Sequence, residues 1–112
     1  MNTTRPTGLI CCTSTVATQA DADRIAQQLI ERSMAACVQI DGPISSHYRW
    51  QGEQHCDTEF RLTIKSSANV WPELKACLAE IHPYDEPQIL MIPIADASAG
   101  YRAWVLQQTA RS

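Results

Sequence analysis

The apolar residues of this chain change period along its length, and each change marks an element. Leu9, Ile10, Cys11 and Cys12, between Gly8 and Thr13, form an apolar run too short for a helix and predict a buried central strand. From Ala20 to Met34, apolar residues fall at Ala22, Ile25, Ala26, Leu29, Ile30 and Met34, the spacing of a helix with one buried stripe. Thr18 stands where an N-cap belongs, and Asp21 and Asp23 complement the positive end of the helix dipole. Ala36 to Trp50 then carries Cys37, Val38, Ile40, Ile44, Tyr48 and Trp50, and leads through Gln51-Gly52 into a second run, which predicts a hairpin. In the returning arm Phe60, Leu62 and Ile64 point one way and Glu59, Arg61, Thr63 and Lys65 the other, so one face is packed and one is polar or paired. Gly42-Pro43 inside the first arm predicts a bulge or kink.

Trp71, Leu74, Cys77, Leu78 and Ile81 predict a second helix, capped by Ser66, Ser67 or Asn69, with Pro72 tolerated in its first turn. His82-Pro83 ends it, because the residue before a proline is steered out of the α region. Ile89 to Ile94 is apolar without alternation, which predicts a strand covered on both faces. Tyr101, Trp104 and Val105 give a short last helix after Ser98. The order β-α-β-β-α-β-α, with right-handed crossovers, predicts an α+β ferredoxin-like split βαβ sandwich: a four-stranded antiparallel sheet with helices on one face.

That plan leaves one sheet face bare, although the last strand is apolar on both sides, so a partner surface is expected. The hairpin arms, about 13 residues at ~3.3 Å each, reach ~40 Å, against a diameter of ~35 Å for a domain of this length. The tip is expected to overhang the core and expose Tyr48 and Trp50 unless a neighbour covers them. The other reading is that Gly42-Pro43 splits the arm into two ordinary strands.

Composition narrows the functional classes. The 112 residues fit a single domain spanning 1–112, with residues 1–7 a flexible N-terminus. A net charge of −3 with singly scattered Lys and Arg argues against nucleic acid and anionic membrane as partners. The short polar N-terminus lacks the apolar core of a signal peptide and no stretch approaches ~20 apolar residues, so a cytoplasmic location is expected. Five cysteines, an odd number, point to reduced thiols rather than a disulfide framework, and no C-x-x-C is present.

His82-Pro83-Tyr84-Asp85 is the segment richest in chemistry. It brings an imidazole, a phenol and a carboxylate to a helix exit, where they could ligate a metal; equally, His82 could simply favour the negative helix C-terminus. Cys11 and Cys12, adjacent on a strand, point to opposite faces, so at most one enters a site. A thiolate with an imidazole would favour copper or zinc over calcium or magnesium, and tight binding would need a further donor or a neighbouring subunit. The chain carries no G-x-G-x-x-G after the first strand, Walker loop, H-E-x-x-H or G-x-S-x-G. Any cysteine paired with His47, His55 or His82 could be drawn as nucleophile and base, but such pairs arise by chance, and the chain is not expected to be an enzyme.

From Leu9 to about Thr109 the residues resemble the CutA divalent-cation tolerance family. The resemblance is carried by Ile25-Ala26 through Ala35-Ala36-Cys37-Val38, by Tyr48, Trp50 and Gly52, by Glu59 and Ile64-Lys65, by His82-Pro83-Tyr84 with Pro87 and Pro93-Ile94, and by Tyr101 with Trp104. It implies a homotrimer whose long hairpins wrap neighbouring subunits, and a link to copper (Cu2+) and other divalent cations in metal response. Carried over by position, Cys12 before Thr13 and His82 are the expected metal ligands, and Ile81 stands where some members have a second His. Two rival readings are a PII-like trimeric signalling module binding a small anionic ligand between subunits, which would want clustered basic residues or a glycine-rich phosphate loop, and a purely structural trimeric scaffold.

Overall fold

The polar–apolar pattern resolves into four strands and three helices in a computed structural model that describes residues 6–111. They run β1 (Leu9–Val16), α1 (Gln19–Glu31), β2 (Cys37–Trp50), β3 (Glu53–Ser67), α2 (Trp71–Ile81), β4 (Leu90–Pro93) and α3 (Ala99–Gln108). The sheet is antiparallel in the order β2-β3-β1-β4. Of the leading residues 1–7, Met1 to Arg5 lie outside the described residues. Thr7 is buried, its hydroxyl donating to the Ile94 carbonyl at 2.6 Å and its own carbonyl accepting from Arg102 Nε at 2.7 Å.

Side-chain alternation assigns the two sheet faces. Ile10, Cys12 and Val16 of β1 and Leu62 and Ile64 of β3 share the face that packs against Ala22, Ile25 and Leu29 of α1 and Leu74, Cys77 and Leu78 of α2. The N-cap of α1 is Thr18, whose Oγ1 accepts from the Asp21 N–H at 3.1 Å. The helix ends sooner than its apolar spacing implies: it stops at Glu31, and Ile30 is 46% exposed rather than part of the buried stripe.

Neither serine before α2 caps it. A 3-10 turn, Ala68–Val70, leads into the helix, and no side chain bonds to its first N–H groups. The serines instead tie β3 outward: Ser66 Oγ donates to the Met34 carbonyl at 2.6 Å, and Ser67 Oγ accepts from the Thr109 hydroxyl at 2.9 Å. Ser67 pairs with Leu9 on the face opposite α1 and α2, so α3, with Val105 buried, covers one end of that second face. The rest of that face stays open, and β4 is not enclosed as its apolar run predicts: Leu90 and Ile92 are 55% and 59% exposed.

The two hairpin arms remain paired throughout, apart from one register shift between Asp41 and Ile44. Gly42-Pro43 therefore makes a bulge and does not split the arm. Only Phe60 to Ser67 of β3 also pairs with β1, so the hairpin beyond the bulge projects past the core. The radius of gyration is 15.3 Å, above the ~13 Å of a compact chain of this length. At the tip Gln51 and Gly52 have φ of 50° and 81°, the doubly positive pair of a two-residue turn matched to strand twist.

At the bulge a side chain has no room. A Cβ on Gly42, whose φ is 156°, would sit 2.6 Å from Phe60 Cδ1 and 3.1 Å from the Glu59 carbonyl oxygen. Gly42→Ala is expected to cost about 2 kcal/mol, read as a lower urea midpoint at unchanged slope. A midpoint equal to that of the parent would show that the bulge is not constrained.

Candidate functional site

A cleft of about 820 Å³ opens where the base of the projecting hairpin faces the segment between α2 and β4. The hairpin contributes His47, Tyr48, Trp50, Asp57 and Glu59, and the segment after His82 contributes Tyr84, Asp85 and Glu86. Four carboxylates line it, with no lysine or arginine among the lining residues. Two phenols hold two of these acids. Tyr84 Oη donates to Glu59 Oε2 at 2.8 Å, and Tyr48 Oη donates to Asp57. Glu59 is buried, so the phenol replaces the water its carboxylate loses. Burial, then the bond to Glu59, pushes the Tyr84 phenol well above its usual range, and the bond to Asp57 raises that of Tyr48.

His82 forms the back of this region. Its ring packs edge-on to Tyr84, with centroids 4.9 Å apart, and it is 7% exposed. Nε2 lies 2.9 Å from the Thr15 carbonyl, and Nδ1 accepts from the Tyr84 N–H at 3.1 Å. One nitrogen faces an acceptor and the other a donor, which fixes the neutral ring with its proton on Nε2. Burial lowers the His82 pKa from its ordinary value. The imidazole therefore bridges β1 and the loop after α2 and does not turn back to cap the helix it ends.

Cys12 lies elsewhere in the same layer. Its side chain is fully buried in the core, its neighbours across the strands are Ile64 and Met91, and burial pushes its thiol up to about 12. In the single chain Cys12 and His82 do not fit an ion as they stand: the thiol is protonated and sealed, and both imidazole nitrogens are engaged. Among the described residues, no group of three or more His, Cys, Asp or Glu side chains is placed to hold a metal. Cys11 points to the other face, as strand alternation requires, where it flanks Lys65 opposite Cys37. Sequence reasoning set Glu59 on the polar face but missed its burial under Tyr84. The signal was a carboxylate one residue from the packed Phe60, with a tyrosine in the one segment rich in functional groups.

Residues 10–108 match the family described as CutA1 divalent ion tolerance protein. The divalent-cation tolerance protein CutA of Thermus thermophilus is 39% identical over 95 residues, covering 85% of this chain and 92% of that protein. Protein CutA of Mus musculus is 32% identical over 88 residues, 79% of this chain, and the chain spans 50% of that longer relative. The crystal structure of CutA1 from Oryza sativa superposes with a TM-score of 0.89 at 31% identity, over 97% of this chain and 98% of that one.

Proposed function

The chain belongs to the CutA1 divalent ion tolerance family, and on that premise we propose that it acts as a homotrimeric, non-enzymatic module in the cellular response to divalent cations. The whole chain, 1–112, serves as one such unit in the cytoplasm, with copper as its first metal. The observation that carries the assembly is the uncovered apolar surface: Leu90 and Ile92 on an edge strand, and Tyr48 and Trp50, 43% and 48% exposed, on a hairpin that projects past its own core. Monomers rarely leave such side chains together in water. A neighbour seated on the open face of β4 and under the hairpin would cover both. The cleft favours this reading over a PII-like anion site, because its four carboxylates repel phosphate and it offers no cation to bind one.

Cys12 and His82 are the proposed copper ligands. Their donor types suit copper, but an ion there would displace the Cys12 proton and turn His82 away from Thr15 or Tyr84. Binding is therefore coupled to local opening, and slow, modest-affinity uptake is expected. Copper titration with mass analysis of the bound metal tests it: Cys12→Ser and His82→Ala each weaken binding, and the double variant is no weaker than either. Unchanged affinity in both single variants, with the assembly intact, places the copper elsewhere and overturns its assignment to this pair; no bound copper in the parent would leave a purely structural trimer.

A further inference from the structure

The projecting hairpin carries a second pair of donors that the reading above does not use. His47 on β2 and Cys56 on β3 are direct cross-strand partners, with Cys56 Sγ 3.5 Å from His47 Nε2. Both are exposed, and neither side chain makes another hydrogen bond among the described residues. The geometry points to a binding site for a borderline d-block cation, zinc or a metal of similar preference, held by Cys56 Sγ and His47 Nε2.

The separation is the first argument. With metal–sulfur bonds of about 2.3 Å and metal–nitrogen bonds of about 2.0–2.1 Å at a tetrahedral angle, the sulfur and nitrogen of one site lie about 3.5 Å apart, so the two donors already span one edge of a tetrahedron. Preorganisation is the second. The strands are hydrogen-bonded on both sides of the pair, from Ile44 opposite Glu59 to Trp50 opposite Glu53, so little chain entropy is lost when the ion enters.

Same-face neighbours are compatible with it. Ser45, Thr58 and Gln54 flank the pair with neutral oxygens, and Arg49 turns its guanidinium toward the Gly52 carbonyl at 3.4 Å. His55 and Tyr48 occupy the other face, stacked on each other at 5.2 Å, so His55 is not a third ligand within the chain. The remaining positions go to water or to a donor from another molecule. On binding, the thiol gives up its proton to solvent and the sulfur bonds the metal as thiolate; nothing is oxidised.

Cobalt(II) is the test ion, since it reports a bound thiolate by a charge-transfer band in the near ultraviolet and does not oxidise thiols as copper(II) does. The full chain is titrated with cobalt and then with competing zinc, in a non-thiol reductant. About one ion per chain is expected, with zinc displacing it and magnesium not. Cys56→Ser removes the charge-transfer band, and it and His47→Ala each weaken binding by about 100-fold, while Cys11→Ser leaves both unchanged. Both positions are exposed, so circular dichroism and sedimentation should be those of the parent. A band that survives in Cys56→Ser overturns the site. A band lost in Cys12→Ser instead assigns the metal to the core pair, which distinguishes failure of this inference from failure of the copper reading.

Discussion

Replacing both Leu90 and Ile92 by lysine is expected to convert the proposed trimer to monomers. In sedimentation equilibrium under reducing conditions, the parent should give about three times its 12.5 kDa chain mass and the variant one times. The two side chains are about half exposed in the single chain, so covering them contributes about 1 kcal/mol each, or about 6 kcal/mol over three subunits, at about 25 cal/mol per Å². Lysine removes that gain and adds six like charges to a surface that must be dried. Every 1.4 kcal/mol is tenfold in an association constant, so dissociation at micromolar concentration follows. Their exposure also means that the monomer core, Leu62, Ile64, Leu74 and Leu78 among others, is untouched, and helical circular dichroism should persist. A parent that sediments as a monomer, or a lysine variant that remains trimeric, sinks the assembly reading and with it the role given to the hairpin.

Loss of the His82 ring should have the second-largest effect, and it falls on stability. His82→Ala leaves the Thr15 carbonyl and the Tyr84 N–H without partners at a buried site and empties the space between β1 and the loop. A cost of about 3 kcal/mol is expected. The pH dependence separates this role from a surface one. Burial lowers the folded-state pKa of His82 from 6.5 and outweighs the bond to the Thr15 carbonyl, which raises it; the charge of Arg24 adds to the lowering, and Asp21 and Glu59 pull the other way. The unfolded chain therefore binds the proton first as pH falls. Stability contributed by the neutral ring is fully present above about pH 6.5 and declines below it, at up to about 1.4 kcal/mol per pH unit, until the folded ring also protonates. Urea midpoints at pH 7.5 and 5.5 should show this fall in the parent and a smaller one in His82→Ala. Equal falls in both would place the acid sensitivity elsewhere.

Much of this was legible in the chain because the relevant forces are local. The period of Ile25 and Leu29 sets which face of α1 is buried, Thr18 caps it by a bond to the N–H three residues on, and the alternation of Leu62 and Ile64 with Thr63 and Lys65 assigns the two sides of β3. The hairpin turn needs only the backbone freedom of Gln51-Gly52, and the crossovers follow from chain handedness. Family membership follows from the same local motifs, since His82-Pro83-Tyr84 and the hairpin residues keep their order and spacing.

Tertiary structure alone decided which polar groups meet. Thr15 and His82 are 67 residues apart, Glu59 and Tyr84 are 25 apart, and Ser67 and Thr109 are 42 apart. No local preference brings such pairs together, so the sequence offered Ser67 as a cap when it is a tie to α3, and it gave no sign that His82 also bridges Thr15 and Tyr84. The state of Cys12 depends likewise on what packs over it: an apolar run marks it as buried, but only the layer of α1 and α2 closing on the sheet dries the thiol and pushes it up to about 12. His47 and Cys56 show the opposite case. Their alternation was readable, yet their meeting at 3.5 Å depended on the register that the Gly42 bulge and the Gln51-Gly52 turn jointly impose on the hairpin, because a shift of one residue would send each side chain to the other face.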